Sequence, residues 1–121
     1  MGFLHEHKLS LENDFQAVLK GGKTCTSYPL RFLYVLEKSE IASFQVAISV
    51  PKKKFHHAVD RNLVKRRIRE GIRHIYPCVD FKGLSLKLLV VYCDEDFRTQ
   101  QNLEQIIEQN LRKILKDAKN S

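Results

Sequence analysis

The apolar positions along this chain repeat with two periods. Recurrence at every second residue marks strands, and recurrence at three and four residues marks helices. Leu30, Phe32, Tyr34 and Leu36 fall on one side of a run rich in β-formers. Phe44, Val46, Ile48 and Val50 fall on one side of the next run, after a polar turn over 37–43. These two runs read most simply as an antiparallel hairpin. A third apolar strand covers 84–92 and is apolar on both faces in places, the pattern of a strand covered on both sides.

Helical spacing fills the rest. Asn13-Asp14-Phe15-Gln16 reads as a helix start, with Asn13 as cap and Gln16 reaching back to it. Phe15, Val18 and Leu19 then share a face, and Gly21-Gly22 stops the helix. Pro51 ends the second strand, and Lys52-Lys53-Lys54 follows in a loop. A basic helix is predicted over 58–76, closed by Pro77, and an amphipathic helix over 100–116 with Leu103, Ile107, Leu111 and Ile114 inward. The order α-β-β-α-β-α predicts an α+β sandwich, a small sheet packed with helices. With no repeat, low-complexity tract or linker, residues 1–121 read as one domain, with 1–9 a flexible N-terminal segment.

Composition narrows the class. An apolar share of 43% and a charged share of 29% suit a folded chain. No apolar run approaches the roughly 20 residues that span a bilayer. The opening MGFLHEHKLS lacks the basic head and apolar run of an export signal, and Glu6 and His7 are a poor continuation of a lipidation signal at Gly2. Cys25, Cys78 and Cys93 are an odd set without motif spacing, and read as reduced, incidental thiols of a cytoplasmic protein.

Charge changes the picture most. The net charge is +7, and residues 52–73 hold nine cations against only Asp60 and Glu70, so this segment carries all of the excess. Elsewhere cations and anions balance. Such concentration points to a polyanion partner.

On a helical wheel of about 100° per residue, Val64, Ile68, Ile72 and Ile75 occupy an arc of about 80° and form the core stripe. Asn62, Lys65, Arg66, Arg69 and Arg73 lie opposite, with Arg67 at the border and Arg61 in the first turn. Arginines three and four apart repel unless an anion screens them. Arginine also forks onto phosphate with two parallel hydrogen bonds, while Asn62 can donate to and accept from base edges or sugar hydroxyls. This set suits RNA backbone recognition; a helix-turn-helix for DNA would need a second helix that the pattern does not place.

The residues Ser49-Val50-Pro51-Lys52-Lys53-Lys54-Phe55 and Ala58-Val59-Asp60-Arg61-Asn62-Leu63-Val64-Lys65-Arg66-Arg67-Ile68-Arg69-Glu70 resemble the signature region of the bacterial ribonuclease P protein component. Asn13-Asp14-Phe15-Gln16-Ala17-Val18 resembles that family's N-terminal helix, and Arg31-Phe32-Leu33-Tyr34 its first strand. One position departs: Leu63 stands where the family usually has arginine in an Arg-Asn-Arg run.

The resemblance implies a ribosomal protein S5 domain 2-like fold with a left-handed β-α-β crossover, against the usual right-handed rule. It implies a protein subunit that binds a catalytic RNA and the 5′ leader of precursor tRNA, while the RNA, with bound Mg²⁺, performs the hydrolysis. No protein-bound cofactor, membrane or obligate protein partner is implied. Arg61, Asn62, Lys65, Arg66 and Arg69 would contact the catalytic RNA; charge and wheel position add Arg67 and Arg73. Lys52, Lys53 and Lys54 would follow phosphates at the edge of a leader cleft. Phe15, Phe32 and Tyr34 would line that cleft by stacking on unpaired bases, with Leu19 where the family often has an aromatic. Burial in the core is the competing reading of the aromatic residues.

Other chemistries find little support. Asp94-Glu95-Asp96 reads as a polar loop, since consecutive acids point different ways. The histidines and cysteines lack zinc-ligand spacing. A plain RNA-binding or ribosomal protein is the alternative function, and a metal-dependent protein nuclease is a third.

Overall fold

The computed structural model describes residues 21–40, 43–52, 55–81 and 83–120. Within them the chain forms four strands and two long helices: β1 (Lys23–Ser27), β2 (Leu30–Lys38), β3 (Ser43–Ser49), α1 (Ala58–Ile75), β4 (Leu84–Tyr92) and α2 (Gln100–Asn120). A short 3-10 turn, Tyr76–Cys78, follows α1 at Pro77. The helix predicted at Asn13, its Phe15 and Leu19, and the 1–9 segment lie outside the described residues.

The α+β class stands, but the strands are four, and the expected hairpin does not form. The sheet order is β1-β2-β4-β3. β4 lies between the two runs that were expected to pair, antiparallel to β2 from Leu30↔Tyr92 to Lys38↔Leu84 and parallel to β3 from Ser43↔Ser85 to Ser49↔Val91. Alternation fixes which face a side chain takes; it does not fix which strand lies alongside. The parallel pair requires a crossover, and α1 supplies it.

β1 has no apolar alternation to announce it. Only Cys25 of its five residues is buried, and it pairs with β2 from Lys23↔Tyr34 to Ser27↔Leu30. Asn110 of α2 is nearly fully buried and holds β1 in place: its Oδ1 accepts from Cys25 Sγ at 2.9 Å and Ser27 Oγ at 3.4 Å, while its Nδ2 donates to the Ile106 carbonyl at 2.7 Å. Cys25 is therefore part of the packing and not an incidental thiol.

The core lies between the sheet and the helices. Leu30, Phe32, Tyr34, Phe44, Val46, Leu86, Leu88 and Val90 meet Val64, Ile68 and Ile72 of α1 and Leu103, Ile107, Leu111 and Ile114 of α2. Each such side chain removed from water contributes about 1.5–3 kcal/mol. Tyr76 continues this core past the end of α1, stacking on Phe44 at 4.1 Å and Phe81 at 5.6 Å between ring centroids. A smaller cluster, Leu33, Ala47 and Leu89 with Val35 and Val91, sits on the other face of the sheet. That second cluster is why the sequence of β4 is apolar on both sides.

The two helices approach closely at Gly71, which is buried in α1. Beside it, His74 Nδ1 and Glu104 Oε2 of α2 stand 2.8 Å apart, and Gln100 Nε2 donates to the same carboxylate at 3.0 Å. These contacts set the orientation of α1 and hence of its outer face.

Candidate nucleic-acid interface

α1 begins without a side-chain cap at His57. Arg61 does that work from inside the helix, donating through Nη1 to the carbonyls of Phe55 at 2.9 Å and His56 at 3.0 Å. Asp60 in the first turn and Arg73 and His74 in the last complement the helix dipole. Val64, Ile68, Gly71 and Ile72 are buried, as the wheel predicts, and Ile75 packs partly against the core.

The opposite face carries the cations. Asn62, Leu63, Lys65, Arg66 and Arg69, with Val59, line an open groove of about 610 Å³ along α1. Among the described residues, Asn62, Lys65 and Arg66 make no hydrogen bond or ion pair, so their polar ends remain available. Arg73 continues the line and reaches Glu70 at 4.0 Å, an exposed pair of the kind that contributes little. Lys52 is exposed at the end of the loop after β3; Lys53 and Lys54 lie outside the described residues. Leu63 lines the groove itself, so a branched apolar side chain stands where the resembled signature has arginine.

Two of the expected contacts serve the fold as well. Arg61 holds the loop before α1, as described. Arg67 donates through Nη1 to the Arg98 carbonyl at 2.8 Å, its guanidinium carbon lies 5.9 Å from the centre of the Phe97 ring, and its own carbonyl accepts from Gln100 Nε2 at 2.8 Å. Arg67 thus ties α1 to the loop between β4 and α2.

The aromatic positions on β2 lie elsewhere. Phe32 is 0% and Tyr34 4% exposed, and both sit in the core beneath the helices. The Tyr34 hydroxyl donates to Asp117 Oδ2 at 3.4 Å and lines a cavity of about 270 Å³ with Lys23, Lys38, Glu37 and Asp117. Burial first, then the Asp117 carboxylate and Cys25, push this hydroxyl above its ordinary pKa. The structure therefore brings Asn62, Lys65, Arg66 and Arg69 together and sets Phe32 and Tyr34 apart from them.

The acidic loop has a structural role that spacing alone did not reveal. Asp94 is buried, its Oδ1 accepts from the backbone N–H of Glu95 at 2.7 Å and Asp96 at 3.2 Å, and its Oδ2 accepts from Arg98 Nε at 2.8 Å. Burial on its own raises the carboxyl pKa. Arg98, the two N–H groups and the Tyr28 hydroxyl outweigh it and hold Asp94 below the usual carboxylate range. Tyr92 is pushed up to about 12, chiefly by burial and then by Asp94. With its carboxylate so committed, Asp94 is not a free metal ligand. Among the described residues, no three His, Cys, Asp or Glu side chains gather into a metal-binding group.

Two exposed aromatic residues stand outside any periodic pattern of the sequence. Tyr28 is 63% and Phe97 46% exposed. The available signal was an aromatic inside the polar run Asp94-Glu95-Asp96-Phe97-Arg98, where no core period explains it.

Comparison with known proteins adds to this geometry. The family model described as Ribonuclease P matches residues 3–119. A ribonuclease P protein component of Enterococcus faecalis is 37% identical over 114 residues, covering 90% of this chain and 91% of that protein. One from Porphyromonas gingivalis is 32% identical over 127 residues, covering 93% and 86%. The solved structure of the Staphylococcus aureus RNase P protein superposes with a TM-score of 0.71 at 26% identity, covering 88% of this chain and 93% of that one.

Proposed function

We infer the function from one premise: the chain belongs to the ribonuclease P protein family, whose model it matches across nearly its whole length. It is a protein subunit of the endoribonuclease that matures the 5′ end of tRNA, and its relatives are protein components of that enzyme. We propose how this chain takes part. The groove face of α1, with Asn62, Lys65, Arg66 and Arg69, binds the catalytic RNA, and Arg73 and Lys52 extend the contact along phosphates. Arg61 and Arg67 act there too, while also holding the loops on either side of the helix.

The observation that carries this reading is the separation of faces on α1. One stripe is sealed in the core, and the opposite one presents Asn62, Lys65 and Arg66, which make no hydrogen bond or ion pair among the described residues, so their polar ends are available to an external polyanion. We propose further that the partners are the ribonuclease P RNA and precursor tRNA, and that hydrolysis belongs to the RNA with its Mg²⁺. The acidic loop does not fit a metal, because Asp94 is held by Arg98 and two backbone N–H groups. No described helix is long and apolar enough to cross a membrane; a cytoplasmic location and a single RNA-binding domain over 1–121 belong to the same proposal.

The test is 5′-leader cleavage of a precursor tRNA at low Mg²⁺ with a bacterial ribonuclease P RNA. Efficient cleavage by the mixture, and by neither RNA nor protein alone, is expected. Cleavage that does not depend on the protein would move the chain to the plain RNA-binding class, and cleavage by protein alone would make it a nuclease in its own right.

A further inference from the structure

We propose that Tyr28 and Phe97, each beside an arginine guanidinium, form a second RNA-contact site that takes the faces of unpaired bases. The proposal rests on the RNA-binding reading above and extends it to residues outside the basic face.

Two large aromatic side chains exposed at 63% and 46% gain little from hydrophobic burial where they stand. Both are nonetheless held in place. The Asp94 carboxylate acts on the Tyr28 hydroxyl and raises its pKa, and the guanidinium carbon of Arg98 lies 5.5 Å from its ring centre. Arg98 is itself fixed to Asp94 at 2.8 Å and accepts through its carbonyl from Arg67. Phe97 leans on buried Phe55, 5.1 Å between centroids at 46°, and stands beside Arg67. The Tyr92 hydroxyl donates to the Asp96 carbonyl and anchors the loop to β4. Tyr28, Asp94, Arg98, Arg67 and Phe97 thus form one connected chain from the β1–β2 turn to α1. Rings fixed in advance lose little side-chain entropy when a base settles on them.

The electrostatics select the kind of contact. Glu95 and Asp96 are exposed beside Phe97 and repel phosphate, so a backbone-following contact is disfavoured. Base faces carry no charge, and stacking on an aromatic ring with a neighbouring guanidinium is tolerant of sequence. Arg67 is also part of the expected RNA-binding set, which makes the site continuous with the basic helix. An RNA bound there can pass an unpaired segment over Phe97 toward Tyr28.

The chain contains no tryptophan, so Phe97→Trp places a single indole reporter at the site. Its emission is to be followed during titration with a bacterial ribonuclease P RNA, beside filter-binding curves for wild type, Phe97→Ala, Phe97→Trp and Arg66→Ala over a range of salt. The expected result is quenching of the indole on binding, near wild-type affinity for Phe97→Trp, and about tenfold weaker binding for Phe97→Ala. The salt slope of Phe97→Ala should match wild type, whereas that of Arg66→Ala should fall by about one ion. If wild type binds and Arg66→Ala weakens it, but the indole stays unquenched, the stacking site is refuted and the basic-helix reading survives. If wild type does not bind RNA, both fall together.

Discussion

A Cβ on Gly71 would stand 2.7 Å from Ile107 Cδ1 and 3.2 Å from Glu104 Cγ. At this point α1 and α2 are separated by no more than a hydrogen atom allows, and Ile107 is fully buried. Gly71→Val adds a branched side chain where neither neighbour has room. It should destabilise the fold by about 2 kcal/mol or more, within the range of overpacked cores. Urea denaturation followed by circular dichroism checks this; unchanged stability would mean the helices lie farther apart.

Arg66 and Arg69 line the groove opposite the Val64–Ile68–Ile72 stripe. The double variant Arg66→Ala, Arg69→Ala should keep its far-ultraviolet spectrum and thermal midpoint. Its affinity for ribonuclease P RNA should drop, with a salt slope shallower by about two ions. A collapse of the spectrum would show instead that these arginines support the fold.

The Asp94 carboxyl is held below its ordinary pKa by Arg98, two N–H groups and Tyr28, which together exceed the opposing effect of burial. Its contribution to stability is therefore fully present above the unfolded value of about 3.9 and disappears as pH falls through the lower folded value. Asp94→Asn should cost about 1–3 kcal/mol at neutral pH by leaving its donors poorly matched. The gap between variant and wild type should narrow below about pH 4. Chemical denaturation at pH 7 and at pH 3 measures both, and a gap independent of pH would rule out the ionised carboxylate as its source.

Tyr34 combines a buried ring with a hydroxyl at the edge of a cavity. Tyr34→Ala should cost about 3–5 kcal/mol as a core truncation. Tyr34→Phe should cost at most about 1 kcal/mol, because its bond to Asp117 is long at 3.4 Å. Leader discrimination is therefore best read in Tyr34→Phe, as the ratio of affinities for precursor and mature tRNA in the assembled particle. If the ring is only core, this ratio should not move, and a fall in it would assign the hydroxyl to the leader.

Among the described residues, the periods of the sequence mark five of the six long elements, because the residues that set them are sealed in one core. Ile68 and Ile107 are each 0% exposed and sit on the inward faces that their helical spacing gives them. β1 shows no apolar alternation because Thr24 and Thr26 face outward and Cys25 is its one buried residue, with Ser27 bonding Asn110 from the same side. The false hairpin has a different cause, since pairing of Leu30 with Tyr92 is a relation across half of the chain that local pattern does not encode. The apolar pattern of β4 on both faces was the one hint that it belonged in the middle of the sheet. At the interface, charge and wheel position located the groove of Asn62, Lys65, Arg66 and Arg69, but not the hydrogen bonds that tie Arg61 and Arg67 to neighbouring loops. Asp94 and Phe97 were hidden for the same reason: their importance comes from contacts made across the fold.

The central position of β4 has a consequence for how the chain is born. β2 begins at Leu30 and its partner begins at Leu84, with the whole of β3 and α1 made in between. At ordinary rates of synthesis, roughly 5–20 residues per second, β2 waits about 3–11 s and β3 about 2–8 s for the strand that joins them. During that interval each offers an unpaired, apolar edge, and the basic helix emerges ahead of β4. The nascent protein thus presents its polyanion-binding segment before its sheet can close.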